Sequence, residues 1–189
     1  MFQVRIHGRG GQGVVTAAEM LSVAAFLEGK HAQAFPSFGS ERTGAPVVAF
    51  CRIDDREIRL REPIQDPDAL IVQDATLFKA LDVMEGLSGD GWLLVNTARS
   101  LADIHLDEVA ARLKPGHARR VSATELALKH VGRPSPNTAL LGAFTAVCPI
   151  VSLDSVIEAI RRTFPGKVGE ANVAAAREAH ALVSNASGA

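Results

Sequence analysis

Residues 2–7 alternate polar and apolar side chains and stop at a run of glycines, whereas 14–27 sets Ala, Leu and Val at helical spacing. The chain is therefore predicted to open as strand, tight loop and helix. A short strand at 32–35 leads into a polar, glycine-containing loop over 36–46, long enough that function is expected in it. Residues 47–53 and 57–60 flank Asp54-Asp55 and predict a β-hairpin built into or beside the sheet. Apolar runs at 69–73 and 92–95 suit buried parallel strands, with a helix predicted between them over 76–87. A short helix at 109–113, a last strand at 120–122 and a helix at 124–131 capped by Thr124 come next, before Pro134 and Pro136 break the pattern. Helices at 138–147, 153–164 and 169–183 complete the chain, the second started by Ser152 or Asp154. The sum is an α/β fold: a Rossmann-like, mostly parallel sheet with flanking helices, an inserted β-hairpin and a helical C-terminal part. With no repeat or low-complexity linker, a single domain over 1–189 is expected.

Composition narrows the field by exclusion. Apolar residues make up 47% and charged residues 22%, ordinary for a globular chain. The formal net charge of -1 lacks the basic footprint of a nucleic-acid binder. No apolar stretch reaches the ~20 residues that cross a bilayer, and the glycine run follows Met1 too closely for a signal peptide. The expectation is a cytoplasmic chain with neither nucleic acid nor membrane as partner. Cys51 and Cys148 are too few for an iron-sulfur cluster, which takes about four thiolates, and are read as buried small hydrophobes. The histidines are scattered without metal-ligand spacing; His7, beside the glycines, is the one worth testing, with a structural role favoured. No acid-base pair stands out, so no catalytic or metal residue is assigned.

Gly8, Arg9, Gly10, Gly11, Gln12 and Gly13 satisfy G-x-G-x-x-G between a predicted strand and a predicted helix, the context in which the motif has meaning. Glycines let the backbone approach a ligand, and the unpaired N–H groups at the helix start attract an anion. An NAD site also asks for an acid about 20 residues onward to hold the ribose. Positions 33–36 carry none; Glu28 is too early and Glu41 falls inside the next loop. A phosphate-bearing ligand other than NAD is favoured, against glycines that only permit close strand-helix packing.

The loop Phe38, Gly39, Ser40, Glu41, Arg42, Thr43, Gly44, Ala45, Pro46 would emerge beside the first, at the carboxyl edge of the sheet. Asn96 and Thr97 end a central strand, and Asn137 with Thr138 follows the prolines. Together these four motifs resemble, in order, the gamma subunit of the pyruvate:ferredoxin oxidoreductase (2-oxoacid:acceptor oxidoreductase, CoA-acylating) family, over most of the chain. Many relatives carry a second Arg where Thr43 stands here. The resemblance implies a multi-subunit enzyme that oxidatively decarboxylates a 2-oxoacid, such as pyruvate or phenylglyoxylate, to an acyl-CoA. Thiamine diphosphate, Mg and [4Fe-4S] clusters would belong to alpha, beta and delta-type partners. Ferredoxin or an NAD-reducing flavin subunit would take the electrons. This chain would position CoA and complete the assembly, inactive by itself and without redox centres. Gly8 to Gly13 would take the pyrophosphate and Ser40, Glu41, Arg42, Thr43 and Gly44 would face the ligand or a partner, with Arg9 and Arg42 as cations. Asn96, Thr97 and Asn137 are further candidates, each with a turn or helix-cap reading beside the ligand one. An NAD or flavin module and a purely structural subunit are the alternatives.

Overall fold

The computed structural model describes residues 1–37 and 44–186. Six strands, β1 (Phe2–Arg9), β2 (His31–Pro36), β3 (Pro46–Asp54), β4 (Ala69–Val72), β5 (Trp92–Asn96) and β6 (Ala118–Val121), form one sheet in the order β2-β3-β1-β4-β5-β6. β1, β4, β5 and β6 pair in parallel, and β3 runs against both β1 and β2. Six α-helices follow in chain order: α1 (Val14–Leu27), α2 (Asp107–Ala110), α3 (Ala123–Val131), α4 (Asn137–Val147), α5 (Leu153–Thr163) and α6 (Gly166–Ala186).

Alternation along the strands sends Val4, Ile6, Ile71 and Leu94 toward α1 and α3 to α6, where they join the larger core. Small residues of α1, among them Ala17, Ala18, Ala24 and Ala25, bring that helix close to the sheet. Leu70, Val72, Leu93 and Val95 point the other way and meet Leu77, Val83, Leu106 and Leu113, which lie largely in turns. Both cysteines are buried in the larger core, and burial pushes each thiol up to about 12.

α4 and α6 run in parallel. Thr138 donates its hydroxyl to Asn172 Oδ1 at 2.8 Å, Gly142 lies against Ala176, and Thr145 meets His180 at 2.8 Å, so the contact pairs advance together along both helices. A Cβ at position 142 would stand 2.1 Å from the Ala176 carbonyl oxygen, which is why the crossing takes glycine there.

Four local expectations need correction. The antiparallel insertion exists, but it is made of β2 and β3; residues 57–60 form no strand, and the second neighbour of β3 is β1. The segment after β3 instead crosses the sheet face, where Arg52 donates to the carbonyls of Leu60 and Glu62. The helix expected over 76–87 shrinks to a 3-10 turn at Ala75–Lys79. Beyond it Arg5 donates to the Val83 and Glu85 carbonyls, and Gly86 presses so close to Gln65 that a Cβ would lie 2.0 Å from its carbonyl oxygen. The helix expected at 109–113 is the single turn α2. Finally, Thr124 is not the cap of α3: the helix starts one residue earlier, and Asn96 Oδ1 accepts from the Thr124 N–H at 3.2 Å. At α5, by contrast, Ser152 is the cap, its hydroxyl oxygen accepting from the Ser155 N–H.

Because β3 lies between them, the ends of β1 and β2 are two strand spacings apart, about 10 Å. No described helix is long and apolar enough to cross a membrane.

Candidate functional site

The glycine run leaves β1 at the carboxyl edge of the sheet, and its parts divide between holding the loop and leaving it open. A Cβ at Gly8 would lie 2.5 Å from Val14 Cγ2 and 3.2 Å from Gln73 Cβ, so this glycine serves packing. Arg9 donates from Nε to Asp74 Oδ2 at 2.9 Å, and its other nitrogens donate to the Gly44 carbonyl and the Thr76 hydroxyl. Gln12 folds back so that Oε1 accepts from the Arg9 N–H at 2.8 Å. The Gly10 N–H donates to Ala45 and its carbonyl accepts from Gly44, pinning the end of the second loop to the first. Asp74 anchors the arrangement from the end of β4. Burial works against its charge, but hydrogen bonds from Thr76 and Arg9 outweigh that and hold the carboxyl below its ordinary range.

Gly11 is different. With φ 94 it takes the left-handed conformation glycine allows, and nothing lies within 4 Å of where its Cβ would be. Gly13, at φ 73, is the cap of α1 and gives it no side-chain hydrogen bond, so the first N–H groups of the helix have no side-chain cap among the described residues. A Cβ on Gly13 would strike Asn137 Nδ2 at 2.4 Å; that amide, nearly fully buried, reaches over the loop and donates to the Gly13 carbonyl at 3.4 Å. Asn137 thereby fastens the start of α4 to the start of α1.

Two recesses meet at Gly11. The smaller, about 330 Å³, runs along the loop past Arg9, Gly13 and Thr16. The larger, about 680 Å³, is lined by Gly11, Arg133, Asn137, Lys167 and Asn172, with apolar walls from Phe164 and Val168. The starts of α4 and α6 border it, and the start of α1 borders the smaller one, each presenting the positive end of a helix. Neither Arg133 nor Lys167 makes an ion pair among the described residues. Sequence reasoning missed both; the available signal was a cation within a few residues of a helix start, after Gly132 and Gly166.

Other expected residues fall elsewhere. Asn96 is engaged in the fold, its Nδ2 donating to the Gln73 carbonyl and the Thr124 hydroxyl, each at 2.8 Å. Thr97 lines a separate cavity of about 400 Å³ with Thr76, Lys79 and Arg99. Ser40, Glu41, Arg42 and Thr43 lie outside the described residues, as do Phe38 and Gly39. Gln73, not singled out beforehand, is buried beneath Gly8, and neither its amide oxygen nor its nitrogen has a partner among the described residues.

His7 is buried on the opposite face, with Nε2 accepting from Arg5 Nε at 3.0 Å. Its proton therefore sits on Nδ1, which has no partner among the described residues. Burial, and secondarily the Arg5 charge, push its pKa down to about 4. A neutral imidazole locked to a buried arginine is structural, in line with the favoured reading.

Residues 3–182 match the sequence profile of the family described as pyruvate ferredoxin/flavodoxin oxidoreductase. The chain is 49% identical to the pyruvate/ketoisovalerate oxidoreductases common subunit gamma of Pyrococcus furiosus, over 95% of this chain and 96% of that one. It is 48% identical to the pyruvate synthase subunit PorC of Methanothermobacter marburgensis over the same shares. Among solved structures, pyruvate oxidoreductase subunit PORC of Thermotoga maritima superposes with a TM-score of 0.79 at 39% identity, covering 95% of each chain. The fold recurs at a TM-score of 0.76 and 17% identity in 2-oxoglutarate:ferredoxin oxidoreductase of Magnetococcus marinus, where it makes up 31% of a longer chain.

Proposed function

The chain belongs to the pyruvate ferredoxin/flavodoxin oxidoreductase family, and from that premise we propose that it is the gamma subunit of a CoA-acylating 2-oxoacid oxidoreductase and seats CoA for the enzyme. The observation that carries the CoA part is the loop around Gly11. It combines an open left-handed glycine, a helix start without a side-chain cap, and an adjoining cavity with two unpaired cations among the described residues. Backbone donors are what a pyrophosphate needs, the two cations suit a further anionic group, and CoA asks for no ribose acid of the NAD type. Arg9 takes a smaller part than its sequence position promised, since its guanidinium already holds Asp74, Thr76 and the Gly44 carbonyl. Ser40, Glu41, Arg42, Thr43 and Gly44 would border the same ligand or a partner chain.

In this reading the decarboxylation and electron transfer take place on alpha, beta and delta-type subunits, which carry thiamine diphosphate, Mg and [4Fe-4S] clusters. Pyruvate is the first candidate substrate. Ketoisovalerate is a second, since the Pyrococcus furiosus relative is named as common to both oxidoreductases. Ferredoxin, or a flavin subunit that reduces NAD, would accept the electrons. The nicotinamide alternative lacks its acid at 33–36, and β3 moves the end of β2 one strand farther from the glycine loop than a dinucleotide requires.

The test is anaerobic affinity purification of the tagged chain from its own host, followed by identification of co-purifying chains and assay of 2-oxoacid-dependent reduction with and without CoA. Thiamine- and cluster-bearing partners with CoA-dependent turnover are expected, and the active acid would name the substrate. A solitary chain that retains NAD or flavin would overturn the proposal.

A further inference from the structure

We infer that Arg133 and Lys167 form a seat for the 3'-phosphate of CoA, and that through them this chain distinguishes CoA from its 3'-dephospho form. The inference rests on the CoA reading of the glycine loop. CoA carries two anionic groups on one ribose, a pyrophosphate at the 5' position and a monophosphate at the 3' position. A protein that holds both needs two anion sites no farther apart than a sugar. Two recesses share Gly11 in their walls: one runs along the backbone of the glycine loop, and the other is lined by Arg133 and Lys167.

The second recess is built for negative charge by more than one means. Arg133 stands on the short connection between α3 and α4, and Lys167 is the second residue of α6, so the cations come from chain segments far apart in sequence. Both are exposed, and two acids of α6 are already taken. Glu170 is held by Arg161 at 2.8 Å, and Glu178 by Lys129 at 2.7 Å and by His130. Nothing described neutralises the pair. Phe164 and Val168 add an apolar wall against which a purine can lie. A pyrophosphate alone, or a nicotinamide dinucleotide with a free ribose hydroxyl, would leave both cations without a partner.

The deciding experiment measures apparent KM for CoA and for 3'-dephospho-CoA with the intact oxidoreductase carrying wild-type gamma chain, the R133Q/K167Q double variant, or the charge-keeping R133K/K167R variant. Wild-type enzyme is expected to prefer CoA by about tenfold or more, the scale of one charge-assisted phosphate contact. The glutamine variant should lose that preference by a rise in KM for CoA alone, with kcat at saturation and KM for dephospho-CoA unchanged, and the charge-keeping variant should retain it. If enzyme with wild-type gamma chain uses both forms equally, or the glutamine variant discriminates as well as wild type, the assignment is wrong while the CoA reading of the loop stands. If turnover of the wild-type enzyme does not depend on CoA, the CoA reading itself fails and the seat falls with it. Thermal melts of the variants exclude misfolding as the cause of a raised KM.

Discussion

On the sheet face covered by α1 and α3 to α6, Val4, Ile6, Ile71 and Leu94 meet aliphatic helix surfaces whose backbone groups are already paired within the helices. On the opposite face Leu70, Val72, Leu93 and Val95 meet turns, and turns bring carbonyls with no partner of their own. Two nearly fully buried arginines meet that need. Arg5 donates to the carbonyls of Ile64, Gln65, Val83 and Glu85, and Arg52 to those of Leu60 and Glu62. Burial lowers the pKa of both guanidinium groups, so each carries its charge against a desolvation cost that the carbonyl dipoles offset. One face is thus stabilised by apolar contact and close helix approach, the other by charged donors threaded through irregular backbone.

The sharpest way to break this contrast is Arg5→Leu. It keeps an apolar stem but orphans four carbonyls and His7 Nε2, and should cost roughly 3–5 kcal/mol, read as a large drop in the urea midpoint. Acid probes the same face. Because the folded state holds the pKa of His7 near 4 against an ordinary 6.5, the unfolded chain binds the proton more readily. The stability tied to neutral His7 is complete above pH 6.5 and is lost as pH falls from 6.5 toward 4, by on the order of 3 kcal/mol. His7→Gln should flatten that part of a stability-pH profile; an unchanged slope would place the titration elsewhere. On the helical face, Gly142→Ala forces α4 from the Ala176 backbone and should cost about 1–3 kcal/mol, measurable as a lower Tm. Least affected should be Arg9→Ala, which removes a partly exposed ion pair with Asp74 and is expected to shift unfolding by under about 1 kcal/mol.

The helical face was readable because its rules are periodic. The predicted bounds of α1 agree with the structure, and α4 and α5 differ from theirs by one residue each, since apolar spacing and start signals decide such elements locally. The turn-rich face was not, since the fate of 57–60 and 76–87 depends on side chain-to-carbonyl bonds of Arg52 and Arg5 that follow no hydrophobic period, and those of Arg5 are remote in sequence. Arg5 and Val83 are 78 positions apart, a relation no local window contains. At the candidate site the glycine motif announced the phosphate-suited loop, yet its letters did not say which glycine packs and which stays open. Gly8 is filled by Val14 and Gly11 by nothing, a difference set by what lies opposite. Arg133 and Lys167 escaped notice because only the approach of the starts of α4 and α6 to Gly11 brings them beside the loop.

The placement of β3 bears on how this scaffold could be redesigned. A common route to a new cofactor preference is to graft an acidic side chain onto the tip of the second strand. Here that tip has an extra strand between it and the glycine loop, so a carboxylate installed at Phe35 or Pro36 would stand about 10 Å from β1, across β3. Conversion to a nicotinamide carrier would require removing a strand, a change of topology that point substitution does not reach.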